Sequence, residues 1–314
     1  MPPKILVIAG PTASGKTALS VELALRHNGE VVSADSMQIY RRMDIGTAKP
    51  TLAERKGVPH HMLDVADPEE DFSVARYVDM AAGCIQDILS RGKLPILAGG
   101  TGLYIDSLLS GRSFAPFAPE SPLRGELEAR LAREGGEALL AELGRADPES
   151  AARLHPNDSK RIIRALEVYL TTGKTITQHN RETQAIPPRY DALTIGLTFQ
   201  RREDMWARID RRVDEMVSAG LVEEICALLE SGVPAKCTAM QAIGYKEFLE
   251  AITLTDNLTG AAELVKLRSR QYAKRQLTWF RRNSAIHWHA WGPEPDFAEA
   301  CRISTEYMEE FGIV

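Results

Sequence analysis

The sequence predicts an α/β protein: a parallel sheet flanked by helices, with a helical insertion. Three observations carry this prediction. Lys4 to Ala9 is a short apolar run that passes through a glycine-rich loop into a helix. Further β-branched and apolar runs alternate with helical patterns over the first third, and right-handed crossovers between them give a parallel sheet covered on both faces. Helical texture then takes over, and a strand signal returns at Leu193 to Phe199.

In order along the chain, the Lys4 to Ala9 strand leads into Gly10-Pro11-Thr12-Ala13-Ser14-Gly15-Lys16-Thr17, which fits G-x-x-x-x-G-K-[ST]. The glycines of such a P-loop let backbone N–H groups point inward at phosphate oxygens. Lys16 adds a point charge, and Thr17 adds a hydroxyl suited to Mg²⁺. Glu30 to Ala34 is a second strand ending at Asp35, and Pro59 to Val65 is a weaker candidate. Val74, Tyr77, Val78, Ala81, Ile85 and Ile88 keep helical spacing before a strand at Leu94 to Ala98 that runs into Gly99-Gly100. Ligands of such a sheet gather at the carboxyl ends of its strands.

The segment Phe114-Ala115-Pro116-Phe117-Ala118-Pro119 reads as a rigid exit into short helices. Asp147-Pro148-Glu149 is an N-cap with proline at the first helical position, and Asn157 to Thr172 closes at Gly173. Ile186-Pro187-Pro188-Arg189 ends this stretch. The expected division is therefore 1–114 with 191–314 as the α/β core and 115–190 as the insertion. Beyond Phe199, Met205, Ile209, Val213 and Met216 form one apolar stripe, with Arg208 and Arg212 one turn apart on another face. Ser284 to Ala290 reads as a last strand.

A length of 314 residues allows one large or two modest domains, and a net charge of −5 rules out an all-round polycation. Cys84, Cys226, Cys237 and Cys301 are too scattered for a zinc site or a disulfide framework, so reduced thiols are expected. No apolar stretch reaches bilayer length, and the first strand begins too early to leave room for a signal peptide. A soluble cytoplasmic protein is expected, with no membrane association.

Asp35 would emerge at the same sheet edge as the P-loop. Holding Mg²⁺ through water or taking a proton from a nucleophile both suit it there, as does a plain capping role. Gln38, with a donor and an acceptor, suits a base edge. In Gly99-Gly100-Thr101-Gly102-Leu103-Tyr104 the glycines permit close approach of a ligand, and Thr101 could hydrogen-bond a nucleophile; a simple tight turn is the alternative. No acid ends that strand, so a conventional Walker B residue is missing. His60 and His61 are adjacent on a candidate strand and point to opposite faces, which speaks against a shared metal. Finally, Lys266, Arg268, Arg270, Lys274, Arg275, Arg281 and Arg282 form a run with no acid in it, interleaved with Tyr272, Trp279 and Phe280. On a helix these make two positive stripes; a solvated face is the usual reading of a charge run, but such a face mixes signs, so polyanion contact, most simply with nucleic acid, is favoured.

Together with Asp44 to Pro50, Pro59 to Asp64, Asn157-Asp158, Arg161 to Val168, Gln241 to Lys246 and Lys274 to Trp279, these segments resemble the bacterial tRNA dimethylallyltransferase (isopentenyltransferase) family over nearly the whole chain. The resemblance implies a P-loop NTPase-like core and transfer of a dimethylallyl group from dimethylallyl diphosphate to N6 of the adenosine 3′ of the anticodon, tRNA position 37, with Mg²⁺ assisting. It implies that Gly10, Thr12, Ala13, Ser14, Gly15, Lys16 and Thr17 bind the diphosphate, with Thr17 meeting the metal. It makes Asp35 the general base, Thr101 a positioning group and Arg212 a stabiliser of the leaving group. It implies tRNA contacts from Asp35, Ser36, Met37, Gln38, Thr101, Arg124, Ser159, Lys160, Arg161, Ile162, Ile163, Gln241, Ala242, Ile243, Gly244, Tyr245, Lys246, Lys274, Arg275, Gln276, Leu277, Thr278, Trp279, Phe280 and Arg281. The insertion is expected to clamp the anticodon arm, and no obligate protein partner is implied, a monomer being expected. The rival readings are a nucleotide or small-molecule kinase with ATP in the P-loop, an RNA-binding protein with a degenerate NTP site, and an isopentenyltransferase acting on free AMP.

Overall fold

The computed structural model describes residues 2–111, 114 and 121–314. It divides into two compact units, Met1–Leu109 with Arg189–Val314, and Ser110–Pro188. Residues 115–119 of the proline-rich exit lie outside the described residues.

The larger unit is built on six strands: β1 (Lys4–Ala9), β2 (Gly29–Ala34), β3 (His60–His61), β4 (Leu94–Gly99), β5 (Asp191–Phe199) and β6 (His287–Trp291). They lie in the order β3-β2-β4-β1-β5-β6, and every neighbouring pair is parallel. Ile5 to Ala9 are completely buried, as befits a central strand covered on both faces. Register does the positioning: Gly99 pairs with both Ala9 and Ala34. The P-loop, Asp35 and the Gly100-Thr101 turn therefore leave the sheet at one level. Only glycine fits at 99, since a Cβ there would stand 2.2 Å from the Ala34 carbonyl oxygen.

The third strand is shorter than the Pro59 to Val65 run suggests. Met62 (φ 62°) and Asp64 (φ 56°) are left-handed, a conformation that cannot continue a strand. The last strand begins at His287, because Asn283 accepts from the Ala285 N–H in a turn at 2.9 Å.

The helices of the larger unit are α1 (Lys16–Arg26), α2 (Leu52–Arg55), α3 (Val74–Ser90) and α4 (Gly102–Ser110). In the smaller unit lie α5 (Pro122–Ala146), α6 (Pro148–Ala151), α7 (Ser159–Thr172) and α8 (Ile176–Gln184). The larger unit resumes with α9 (Arg202–Ser218), α10 (Leu221–Glu230), α11 (Tyr245–Glu250), α12 (Leu258–Phe280) and α13 (Phe297–Phe311).

In the smaller unit the opening helix α5 is longer than expected and is broken at Gly135 (φ 82°, ψ 166°). Its two arms fold onto α7 around Leu127, Leu139, Leu143, Ile162, Ile163 and Leu166. Buried Asp147 caps α6 and accepts from the Thr177 hydroxyl at 2.7 Å, tying α6 to α8. In the larger unit Met205, Ile209 and Val213 face inward from α9, as the stripe predicts. One apolar core lies against the sheet (Leu6, Ile8, Ile195, Leu277, Trp291), and a second surrounds Tyr40, Ile225, Tyr245 and Phe248.

Candidate active site

The P-loop curls as its composition requires. Gly15 (φ 85°) caps α1 from the left-handed region, where a Cβ would also strike the Phe297 ring at 2.9 Å, and Ala13 is left-handed too (φ 60°). Three side chains from afar hold its backbone. Trp291 donates to the Ser14 carbonyl at 2.8 Å, Arg208 to the Ala13 carbonyl at 3.2 Å, and Gln276 accepts from the Thr12 N–H at 2.9 Å. The Ser14 hydroxyl is buried and has no hydrogen-bond partner among the described residues. A buried polar atom left unmatched inside an otherwise tethered loop fits a site completed by an anionic ligand.

This loop forms one wall of a cavity of about 720 Å³ that is also lined by Asp35, Gln38, Lys49, Arg208, Arg211, Arg212, Tyr272 and Gln276. Asp35 Oδ1 accepts from the Met37 N–H at 2.9 Å in an Asx turn, which fixes the carboxylate at the tip of β2. The Ser36 N–H donates to Thr101 Oγ1 at 3.1 Å, joining the Asp35 turn to the turn after β4.

Lys16, Arg208, Arg211 and Arg212 share this cavity with Asp35. Lys16 donates to the Pro11 carbonyl at 2.7 Å. Burial, and then the nearby positive charge of Arg212, pull its ammonium down to about 8 against the opposing influence of Asp35. Burial likewise lowers Arg212, and the Asp35 charge opposes it. Burial and the Asp35 charge push the Tyr272 phenol up to about 12, so it stays a neutral donor at physiological pH. Burial is the leading cause of both shifts, and an anionic ligand in the cavity would oppose it.

The loop facing the P-loop is anchored from behind by Glu224. Its carboxylate accepts from the backbone N–H groups of Asp44 (2.8 Å), Ile45 (2.8 Å) and Gly46 (3.2 Å), and from the Tyr245 hydroxyl (2.5 Å). Gly46 is required there, because a Cβ would meet the Tyr245 ring at 2.4 Å. The loop held this way presents Thr47 and Ala48 carbonyls to the Gln38 amide at 3.2 and 3.1 Å, and Arg212 reaches the Ala48 carbonyl at 3.4 Å.

The structure thus gathers Asp35, Gln38, Arg212 and the Thr12 to Thr17 stretch on one cavity, with Thr101 one hydrogen bond away. Several of the expected RNA contacts have partners within the protein. Gln38 already spends both amide protons on Thr47 and Ala48 and accepts from Ser33, so it shapes the wall. Gln276, expected at RNA, is buried and bridges Thr12 to the Gly100 carbonyl. Ile162, Ile163, Ala242, Leu277 and Phe280 are buried apolar residues, and buried Tyr245 bonds Glu224. Among the other expected RNA contacts, Lys160, Arg161, Gln241, Lys246, Lys274, Arg275, Thr278 and Arg281 are exposed, while Ser36, Met37, Ser159 and Ile243 are half-buried. Gly244 is buried, and Arg124 pairs with Glu128 and Glu167 at 3.2 and 3.4 Å. The room left by Gly100 and Gly102 goes to protein: a Cβ at either would stand 2.3 Å from Gln276 or Trp279, and Trp279 donates to Asp106 at 2.8 Å. His60 and His61 bond separately to the Val58 carbonyl and to Glu30.

Sequence reasoning missed Lys49, Tyr272 and Glu224. Tyr272 was visible only as an aromatic within the basic run; Glu224 carries no local signal, since its partners arrive from 178 to 180 residues away.

Among the described residues no group of three or more His, Cys, Asp or Glu could hold a metal. Thr17 and Asp35 offer oxygen ligands on the cavity wall. A Mg²⁺ ion sharing one or two protein oxygens with ligand phosphates and water fits that donor set. No helix among the described residues is long and apolar enough to cross a membrane.

A family model described as IPP transferase matches residues 38–283, and one described as isopentenyl transferase matches 3–70. The tRNA dimethylallyltransferase of Acetivibrio thermocellus is 48% identical over 284 residues, covering 90% of each chain. That of Geobacter sulfurreducens is 47% identical over 309 residues, 98% of this chain and 97% of its own. Among solved structures, the full-length tRNA isopentenylpyrophosphate transferase of Bacillus halodurans is 42% identical with a TM-score of 0.73, covering 98% of both chains. A eukaryotic dimethylallyltransferase captured acting on tRNA is 33% identical with a TM-score of 0.83, covering 98% of this chain and 80% of its own.

Proposed function

The chain belongs to the IPP transferase family of tRNA dimethylallyltransferases, with its P-loop NTPase-like fold, and from that premise we propose how its own residues carry out prenyl transfer to tRNA. The observation that carries the proposal is the convergence of Asp35, Lys16 and Arg212 on one cavity. The P-loop holds the diphosphate of dimethylallyl diphosphate. The target adenine leaves its stack to bring N6 to the prenyl carbon. As the N6 lone pair forms the new C–N bond, the C–O bond to diphosphate breaks and its electron pair leaves with the diphosphate. Lys16, Arg212 and the P-loop N–H groups stabilise that growing charge. The proton released from N6 passes to the Asp35 carboxylate, and Thr101 and Tyr272 hold the acceptor side of the cavity. Bound Mg²⁺, with Thr17 as its protein ligand, would neutralise charge on the diphosphate.

The basic C-terminal part of α12 and the Ser110–Pro188 unit bind the anticodon arm in this reading. A kinase has no use for that surface and would need the acid that is missing after β4. The decisive experiment incubates the protein with dimethylallyl diphosphate, Mg²⁺ and unmodified tRNA, then searches nuclease digests for isopentenyladenosine by mass spectrometry. Turnover of ATP without that product would overturn the assignment. Asp35→Asn is expected to abolish product while tRNA affinity stays within about threefold; a large affinity loss would make Asp35 a binding group instead.

A further inference from the structure

A second cavity, of about 670 Å³, lies between the end of β5, α9 and α12, on the opposite side of α12 from the P-loop cavity's Tyr272 and Gln276. Its floor is apolar: buried Met205 and Leu277, half-buried Trp206, and Leu267, which is 45% exposed despite its size. Its rim is cationic. Lys274 on α12 and Arg281 at its C-terminal cap, seven residues apart, are both exposed, and among the described residues neither has a carboxylate within 4 Å. The guanidinium groups of Arg202 and Arg270 lie 4.5 and 5.8 Å from the Trp206 ring centroid, so the indole already serves as a platform for planar cations.

Arg202 and Arg270 on the same cavity pair with Glu203 and Asp210, but an apolar, aromatic floor beneath the two unmatched cations Lys274 and Arg281 is the combination that binds single-stranded nucleic acid, with bases stacked below and phosphates held above. An isoprenoid diphosphate would satisfy the same two chemistries. The cationic row, however, continues beyond the cavity through Arg275 and Arg282, which lie over the Tyr272 and Trp279 rings at 5.5 and 5.4 Å. A track of that length suits a polymer. A single helix, roughly 10 Å across, separates the two cavities, so a strand with one base in the first passes close to the second.

We propose that this second cavity takes one unpaired nucleotide of the RNA substrate other than the modified adenosine, its base against Trp206 and Leu267 and its flanking phosphates on Lys274 and Arg281. The inference rests on tRNA being the substrate. It makes α12 a divider between a reaction pocket and a reading pocket.

The test is a set of anticodon stem-loop RNAs, each carrying one abasic nucleotide at a successive loop position, titrated against the wild-type protein, Trp206→Leu and Leu267→Glu. The wild type is expected to lose about 5- to 100-fold in affinity for an abasic site at one position besides the target. In both variants that single penalty shrinks below about twofold while the target-position penalty persists. Leu267 is exposed, so its variant keeps the test alive if Trp206→Leu unfolds. If wild type and folded variants show the same pattern of penalties, the inference is overturned while RNA binding itself stands. A variant that alters only KM for dimethylallyl diphosphate overturns it in favour of the donor. Failure of the wild type to bind the stem-loop removes both the inference and the reading beneath it.

Discussion

Lys49 and Lys16 line the same cavity, one on the loop facing the P-loop and one on the P-loop itself, and they are held in opposite ways. Lys49 is buried and donates to Asp44 (2.6 Å), Asp64 (2.6 Å) and the Tyr40 carbonyl (2.7 Å). Its charge is matched within the protein, and the match pins two loops together. Lys16 has a single carbonyl and shares the cavity with Arg208, Arg211 and Arg212, and burial followed by the Arg212 charge draws its ammonium down to about 8. A matched cation builds the wall, whereas an unmatched one waits for a charge from outside. The same distinction recurs along α12.

The sharpest way to break this comparison is to delete each lysine in turn. Lys16→Ala should reduce kcat/KM for dimethylallyl diphosphate by about 100- to 1,000-fold, the cost of losing one preorganised donor to a developing anion. Its Tm at pH 7 should not fall, because the deleted charge is one the fold disfavours. A Tm drop of several degrees would show that Lys16 is structural. Lys49→Met should reverse the pattern, with stability falling by ~1–3 kcal/mol. Both carboxylate partners are partly solvated, at 62% and 43% exposure, so the full penalty of a broken buried pair does not apply. Calorimetric melting and steady-state kinetics on both variants decide the matter.

The depressed Lys16 also predicts a pH dependence for the ligand. Diphosphate binds the protonated lysine and raises its pKa in the complex, so affinity should be full below about pH 8 and fall as pH rises through that value, by up to about tenfold per unit. Titration calorimetry with inorganic diphosphate between pH 6.5 and 9.5 measures this, and Lys16→Gln should flatten the curve. A wild-type affinity unchanged up to pH 9 would mean that Lys16 is not the group responding. For the free protein the sign is opposite: the folded state binds its proton less tightly than the unfolded state, so this group makes stability rise with pH from about 8 to 10.5.

Lys16 was legible in the sequence because every residue defining its role lies within one contiguous loop between a strand and a helix. Lys49 was only part of a resembling segment, since Asp64 comes from beyond the next helix. The sheet was equally legible: central strands are continuous apolar runs, and Asp35 at the end of one follows from topology. Gln38, expected at a base edge, and Gln276, expected among the RNA contacts, both have partners within the protein that the sequence did not reveal. A glutamine amide is free to meet a ligand only if no carbonyl of the protein claims it, and the carbonyls that claim these two lie 9, 10 and 176 residues away. The basic run shows both outcomes together. Helical spacing grouped Lys266, Arg270 and Lys274 on one stripe, but periodicity carries no information about what packs opposite.

What packs opposite is α9. Lys266 pairs with Asp214 at 2.7 Å and Glu263 at 2.9 Å, and Arg270 lies 3.4 Å from Asp210, whereas Lys274 and Arg275 have no such partner among the described residues. One stripe thus divides into a matched half that docks helices and an unmatched half turned to solvent. Counterion release distinguishes them: an unmatched cation at RNA contributes to the salt slope of binding, and a cation already neutralised by a carboxylate contributes little. Lys274→Ala with Arg275→Ala should therefore lower the slope of log K against log salt by about 1 to 2, while Lys266→Ala with Arg270→Ala changes it by less than about 0.5 and shows instead in Tm. Filter binding of tRNA from 50 to 300 mM salt, on the order of the range where such slopes are read, separates the two pairs. Equal slopes for both double variants would mean that the carboxylates of α9 give up their partners when RNA arrives, and the division of α12 would hold only for the free protein.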